Sequence, residues 1–430
     1  MPRQSAKQQI IAHLNRIIEH CAMHLLIAHV LGIGSGLDFQ QLAFLYGCRA
    51  LKYLLENSRY ATRGIHRHTY KKRNPKFELY LQNEDDHADA LTDAEFKFHF
   101  RLTRESFWEL IDRIKDHPAF KRQSSDSRGP PPAPAKYQLL VLLKYYGSEG
   151  NSACSKALGT FFGVGVGRID NYRNNALNAL LSLEEETYFW PTVNEKKAIA
   201  NRIKQKWYFP NCIGLIDGTL LPLGSRPLLH GENYLSRKRF YAIVMLVVCD
   251  DQARILYYHV GWPGSVHDNR VWRTCRLNTH SHEYFTRNEY LLGDSAFTPG
   301  QHIIPPFKNP TGGAMPSHET AFNSLLASPR VRSEHCIGIL KGRLPFFKCI
   351  KLRLSSKHDM KQIIKYVKGG VILHNFLITE DIHQDWYSPD DDDSDDPLIP
   401  EANSSVNQEN AARRDQLLVY LSEIEGTNIE

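Results

Sequence analysis

The chain has 430 residues, 42% of them hydrophobic, with a formal net charge of +6, which suits two or three globular domains with a substantial core. From Glu380 onward there are 15 Asp and Glu against 2 Arg, which leaves 32 acids and 51 bases before that point, a balance of +19. An excess of this sign favours a polyanionic partner, because Lys and Arg displace counterions from phosphates, and its eight scattered cysteines, without a CxxC pair, exclude a zinc-ribbon or disulfide-framework class.

The opening, MPRQSAKQQIIAHLNRIIEH, places polar residues at helical spacing where a secretory signal would have an apolar core. The apolar run from Cys21 to Leu31 is 11 residues long and contains His24 and His29, against the roughly 20 residues of a membrane span. The expectation is a reduced, intracellular chain without a membrane segment. Residues 1–95 read as a basic helical arm, with Ile10, Ile11, Leu14, Ile17 and Ile18 on one stripe. Between Lys52 and Lys76 it carries eight Lys or Arg and one acid. That stretch suits a DNA-contacting arm or a nuclear-import signal, and equally a solvated basic face.

Residues 96–185 read as an all-α region. Thr103 is placed to cap a helix with Phe107, Leu110, Ile111 and Ile114 on its apolar side. The proline-rich segment Ser124–Ala135 reads as a linker. Two later helical patterns, ACSKALGTFF and VGRIDNYRNNALNALLSL, are joined by Gly163-Val164-Gly165, as in a helix-turn-helix. The second would be a recognition helix offering Arg168, Asn171, Arg173 and Asn174 to DNA. Plain bundle helices join in the same way.

From Cys212 the texture turns to β. CIGLID, YAIVMLVVCD, ARILYYHVG and YLLGD are short runs rich in β-branched and aromatic residues. A helical pattern, VHDNRVWRTCRL, lies between the third and fourth, and SEHCIGILKGRL and MKQIIKYVKGGVILHNFL follow. The order predicts an α/β domain over 205–380, a mixed sheet flanked by helices, as in a ribonuclease-H-like core. Residues 381–430 are acidic and poor in apolar residues, which predicts a mostly disordered tail with a short final helix around Arg413–Ile424.

Three carboxylates stand out. Asp217 follows the apolar run Ile213–Ile216, Asp294 follows Tyr290-Leu291-Leu292, and Glu334 sits in a helical pattern whose later residues Ile337, Ile339 and Leu340 pack inward. A carboxylate delivered to the end of a buried strand needs a partner or a metal. Hard oxygens from separate elements suit a pair of Mg²⁺ or Mn²⁺ ions acting on a phosphodiester. Singly, each acid is also explained as a turn cap or a solvated charge. His267 and Asp268, after a Pro-Gly turn, are candidates for supporting the site, although Asp268 equally suits a helix cap. Lys238, Lys341 and Arg343, with Arg237 and Arg239, are candidates for holding phosphates.

The motifs Ile216-Asp217-Gly218-Thr219, Gly261 to Asp268 (GWPGSVHD), Gly293-Asp294-Ser295, Arg332-Ser333-Glu334 with Gly338 to Arg343 (GILKGR), and Leu373-His374-Asn375 occur in the order found in PIF/Harbinger transposases and the nucleases derived from them. The resemblance covers about residues 98–380 and is most specific over 212–377. It implies a ribonuclease-H-like DDE catalytic domain behind a helix-turn-helix, with Asp217, Asp294 and Glu334 on the catalytic positions and binding two Mg²⁺ or Mn²⁺ ions. It further implies nicking at transposon ends, joining of the freed 3′-hydroxyl to target DNA and a Myb-like DNA-binding partner; a nuclear location and a homo-oligomer are expected alongside. Leu344 stands where the family has a bulkier residue and Phe297 where it commonly has Tyr. The alternative is a domesticated DNA-binding or adaptor protein that keeps the fold without transposition.

Overall fold

A computed structural model describes residues 6–30, 39–57, 75–82, 90–121, 132–286, 288–310, 314–380 and 413–421. The chain forms two compact units, Met1–Asn74 and Pro75–Glu430. Residues 75–95, assigned from sequence to the basic arm, thus fall with the second unit rather than the first. In the first unit, helices α1 (Ala6–Val30) and α2 (Phe39–Asn57) pack together, with Leu14 and Cys48 buried between them. Most of the basic stretch of the arm, most of the proline-rich segment and the acidic run after Asp381 lie outside the described residues.

The second unit opens with α3 (Phe77–Leu81), α4 (Asp93–Phe100), α5 (Arg104–Ile114), α6 (Ala135–Tyr146), α7 (Ser155–Phe162), α8 (Val166–Leu181) and α9 (Val193–Trp207). Thr103 caps α5 as expected, accepting the Ser106 amide, and Phe107, Leu110, Ile111 and Ile114 are all buried. The α7–α8 turn forms where the glycines are. Gly163 takes the left-handed conformation (φ 70°) that ends α7, and Gly165 caps α8. These helices share one core with the sheet that follows. Phe77 stacks on Phe162, and the Tyr146 hydroxyl donates to the carbonyl of Tyr366, far along the chain.

Five strands, β1 (Cys212–Pro222), β2 (Ala242–Cys249), β3 (Ile255–Pro263), β4 (Tyr290–Leu292) and β5 (Ile303–Ile304), lie in the order β3-β2-β1-β4-β5. β1 is antiparallel to β2 and parallel to β4, β2 is antiparallel to β3, and β4 is parallel to β5. Every residue of β2 is buried, as its unbroken apolar run requires of a central strand. Helices cover both faces. On one, α10 (Asp268–Thr274) contributes Val271 and Trp272 to a core with Ile213, Ile216 and Leu291. On the other, α11 (Ser317–Arg343) and α12 (Lys357–Phe376) join a core with Leu215 and Leu292. This is the mixed, ribonuclease-H-like sheet expected, with an all-helical region before it.

Two details differ from the sequence reading. β1 runs on for five residues past Asp217, so that acid sits in mid-strand and not at a strand end. β5, only two residues long, has no periodicity by which to be read. The final helix does form, as α13 over 413–421. Leu417 and Leu421 bury into the main core, while the Arg413 and Arg414 guanidinium groups lie over the rings of Tyr290 and Phe307.

Candidate active site

The parallel register of β1 and β4 builds the site. Leu215 is opposite Leu292. Two residues further along each chain segment come Asp217, within β1, and Asp294, just past the end of β4. Asp217 takes the backbone N–H of Gly218 on its Oδ1 at 2.8 Å, and Asp294 takes that of Ala296 at 3.0 Å, so each carboxylate is held by its own turn of chain. Glu334 comes from α11, which packs across β1, and its Oε1 lies 3.1 Å from Nε of Arg330 one turn earlier.

A fourth acid joins from the other face of the sheet. Asp268 begins α10, and His267 before it makes no side-chain cap. Asp268 leans instead on the backbone of Gly218: a methyl at 218 would fall 2.2 Å from its Cγ. Only glycine leaves room for that carboxylate beside Asp217. Asn269, the next residue, is buried and holds the loop after Asp294. Its Nδ2 donates to Thr298 Oγ at 2.8 Å, and its Oδ1 accepts the Thr298 N–H at 3.1 Å. The short segment His267–Asn269 therefore fixes both the fourth acid and the second acid's loop.

The electrostatics show how strongly these acids feel one another. Deep placement pushes the Asp217 carboxyl well above the usual carboxylate range, and the charges of Asp294, Asp268 and Glu334 push it the same way against the Gly218 N–H. Burial also raises Asp294, opposed by the Ala296 N–H and by the cations Arg330, Arg237 and Lys308. Asp217 and Asp294 are half-buried, so both remain reachable from solvent.

The other predicted residues divide sharply. His267 and Lys238 are exposed beside this cluster's elements. Lys341 is buried, and Arg343, 1% exposed, points into the core, donating to the carbonyls of Leu377 and Glu380. Arg343 ties the end of α11 to the end of α12 and is turned away from any phosphate. On α8, Arg168, Asn171 and Asn174 are exposed, Asn174 also accepting the Tyr366 hydroxyl, whereas the half-buried Arg173 lies over the Tyr145 ring, 4.3 Å from its centre. Arg330, Lys308 and Asn269 were not singled out from sequence. Of the three only Arg330, four residues before Glu334 on a helix, carried a readable signal. His374 and Asn375 brace β3 from α12: Asn375 pairs with both backbone groups of Ile255, and His374 with the carbonyl of Ala253.

Carboxylate oxygens on separate elements, crowded enough to raise the proton affinity of Asp217, are a donor set for a hard divalent cation such as Mg²⁺ or Mn²⁺. As placed, no three His, Cys, Asp or Glu side chains among the described residues converge closely enough to hold one ion. The residues fit such an ion in the chemistry of their oxygen donors.

Residues 216–375 match the family model described as DDE superfamily endonuclease. The chain is 21% identical over 306 residues to the mouse (Mus musculus) protein named "Putative nuclease HARBI1", covering 70% of this chain and 82% of the relative. It is 22% identical over 213 residues to the human (Homo sapiens) protein of the same name, covering 49% of this chain and 58% of the relative. It is 23% identical over 300 residues to "Protein ALP1-like" of Arabidopsis thaliana, covering 66% of this chain and 70% of the relative. No solved structure matches the chain at a significant level.

Proposed function

We propose, on the premise that the chain belongs through residues 216–375 to the DDE superfamily endonucleases of the Harbinger transposase-derived kind, that it is a metal-dependent nuclease of DNA. One observation carries this reading: carboxylates from the β4 end, α10 and α11 gather around the half-buried Asp217 of β1, each close enough to raise its proton affinity.

Asp217, Asp294 and Glu334, with Asp268 beside them, would hold two divalent ions, Mg²⁺ or Mn²⁺. When bound, such ions lower the pKa of the attacking water and stabilise the leaving 3′-oxygen. The chain's own residues supply the rest. Gly218 and Ala296 amides and the Asn269–Thr298 pair fix the direction of the acids. Arg237, Lys238 and Lys308 stand exposed on the loops around the cluster and orient the phosphodiester strand. The α7–α8 pair presents Arg168 and Asn171 to the duplex. The finer reading is nicking at transposon ends, followed by attack of the freed 3′-hydroxyl on target DNA. It would take place in the nucleus, beside a Myb-like DNA-binding partner and in a homo-oligomer.

The test uses the full chain, supercoiled DNA and either Mg²⁺ or Mn²⁺. Asp217→Asn and Glu334→Gln should each abolish nicking while DNA binding persists. Cleavage retained by either purified variant would overturn the assignment.

A further inference from the structure

Arg330 has no task in the chemistry above, yet it occupies a telling place. Its Nε lies 3.1 Å from Glu334 Oε1, and its charge also acts on Asp294, which comes from a different element. It therefore stands toward acids delivered by both α11 and the β4 end. The pairing is poorly explained as helix support. The order cation-then-acid at i,i+4 is the weaker orientation along a helix. Pro329 just before it removes a hydrogen bond from that turn of α11. Nε is buried without a well-directed hydrogen-bond partner, so the contact with Glu334 is one of charge rather than of hydrogen-bond geometry. Acids gathered in a half-buried place favour a nearby cation, and here a guanidinium on a long side chain stands toward them.

We propose that Arg330 is a built-in placeholder for the divalent ion: its guanidinium neutralises Glu334 and Asp294 until a metal binds, then leaves them and turns its forked donors to the substrate phosphate. This rests on the reading of the acids as a metal-binding cluster. Its consequence is competition. Metal and guanidinium favour the same carboxylates, so each weakens the other's hold, and the coupling is reciprocal. Once released, a planar guanidinium is well matched to two phosphate oxygens.

The test is calorimetric titration of Mn²⁺ into the full chain, comparing wild type with Arg330→Gln, Arg330→Met and Asp217→Asn. Loss of the competing cation should tighten Mn²⁺ binding about tenfold in both neutral variants, and each should be less stable than wild type in chelator. With metal present, their affinity for uncleavable DNA should fall, with a salt slope shallower by about one. Neutral variants that bind Mn²⁺ no more tightly than wild type would overturn the placeholder while leaving the metal site standing. A wild type that binds Mn²⁺ no better than Asp217→Asn would overturn the metal site itself and the placeholder with it. A measurement on the wild type alone guards against variants that fail to fold: the Arg330 Nε–H resonance should move on addition of Mg²⁺, and an unmoved resonance in a Mg²⁺-loaded protein also overturns the proposal.

Discussion

Replacing Gly218 by Ala tests the geometry of the site at its tightest point. The new methyl would lie 2.2 Å from both Cγ and Oδ1 of Asp268 and 2.4 Å from Oδ2. Ordinary contact begins at 3.4 Å, so the carboxylate must retreat by about 1.2 Å. Gly218 is not among the glycines with positive φ, so Ala costs nothing in backbone conformation and the whole effect is the contact. A carboxylate tip turns on two bonds, and holding it off its rotamer costs on the order of 1 kcal/mol. β1, paired on both sides, should therefore survive with a melting temperature lowered by a few degrees at most. The chemical cost is larger, since a displacement of about 1 Å in a catalytic constellation can slow a reaction by about 10²-fold, which corresponds to about 2.7 kcal/mol of barrier. Plasmid nicking by Gly218→Ala should fall by that order. The double variant Gly218→Ala with Asp268→Ala should be no slower than Asp268→Ala alone, because the methyl then has nothing to displace. Nicking at the wild-type rate by Gly218→Ala, or a double variant slower by the full product of the two single effects, would refute the reasoning.

Asp217→Asn should stabilise the chain in chelator at alkaline pH. The folded carboxyl keeps its proton above the pH at which the unfolded one loses it, so this group's contribution is fully present below the ordinary carboxylate range, at about pH 4, and is lost as pH rises through the raised value. The stability gap between variant and wild type should open as pH rises above the ordinary carboxylate range and stop widening once pH has passed the raised folded value, and a pH-independent gap in denaturant unfolding would contradict this. Arg343→Met leaves the carbonyls of Leu377 and Glu380 without their buried donor and should cost about 2–4 kcal/mol of stability with Mn²⁺ affinity unchanged; a loss of metal or DNA binding without a loss of stability would instead put Arg343 at the site. Arg168→Ala should weaken DNA binding and flatten its salt dependence by about one unit of slope, whereas Arg173→Ala, which removes a cation from over Tyr145, should lower stability and leave the slope alone. The reverse pattern would mean that α8 does not present this face to DNA.

What could be read from the sequence follows the range over which each signal acts. The apolar run before Asp217 and the Gly-Asp after β4 are local, so each strand was legible together with its acid, whereas the parallel β1–β4 register that unites them is a long-range pairing that spacing does not carry. The strand's continuation past Asp217 was not legible, because Asp-Gly is a turn signal and only pairing with the buried β2 overrides it. Asp268 was weighed as a helix cap on equally local grounds. Its true contact, across the sheet to Gly218, depends on how α10 packs and leaves no trace in spacing, except that a glycine follows Asp217 where a β-branched residue would better suit a strand. Arg343 misled for the opposite reason: a cation in the last turn of a helix ordinarily reaches solvent or the helix dipole, and here the tertiary core takes it to satisfy two carbonyls. Arg330 stands at i,i+4 spacing to Glu334 on one helix, a signal that is local and readable from sequence. The residues that misled are thus those whose charge is spent inside the fold. A cluster of repelling acids and a buried arginine each run against the rule that charges stay in water. The arginine finds acceptors inside the fold, in the carbonyls of Leu377 and Glu380, whereas the acids raise the proton affinity of Asp217, and that difference separates the part of the chain built to hold its shape from the part built to take up something else.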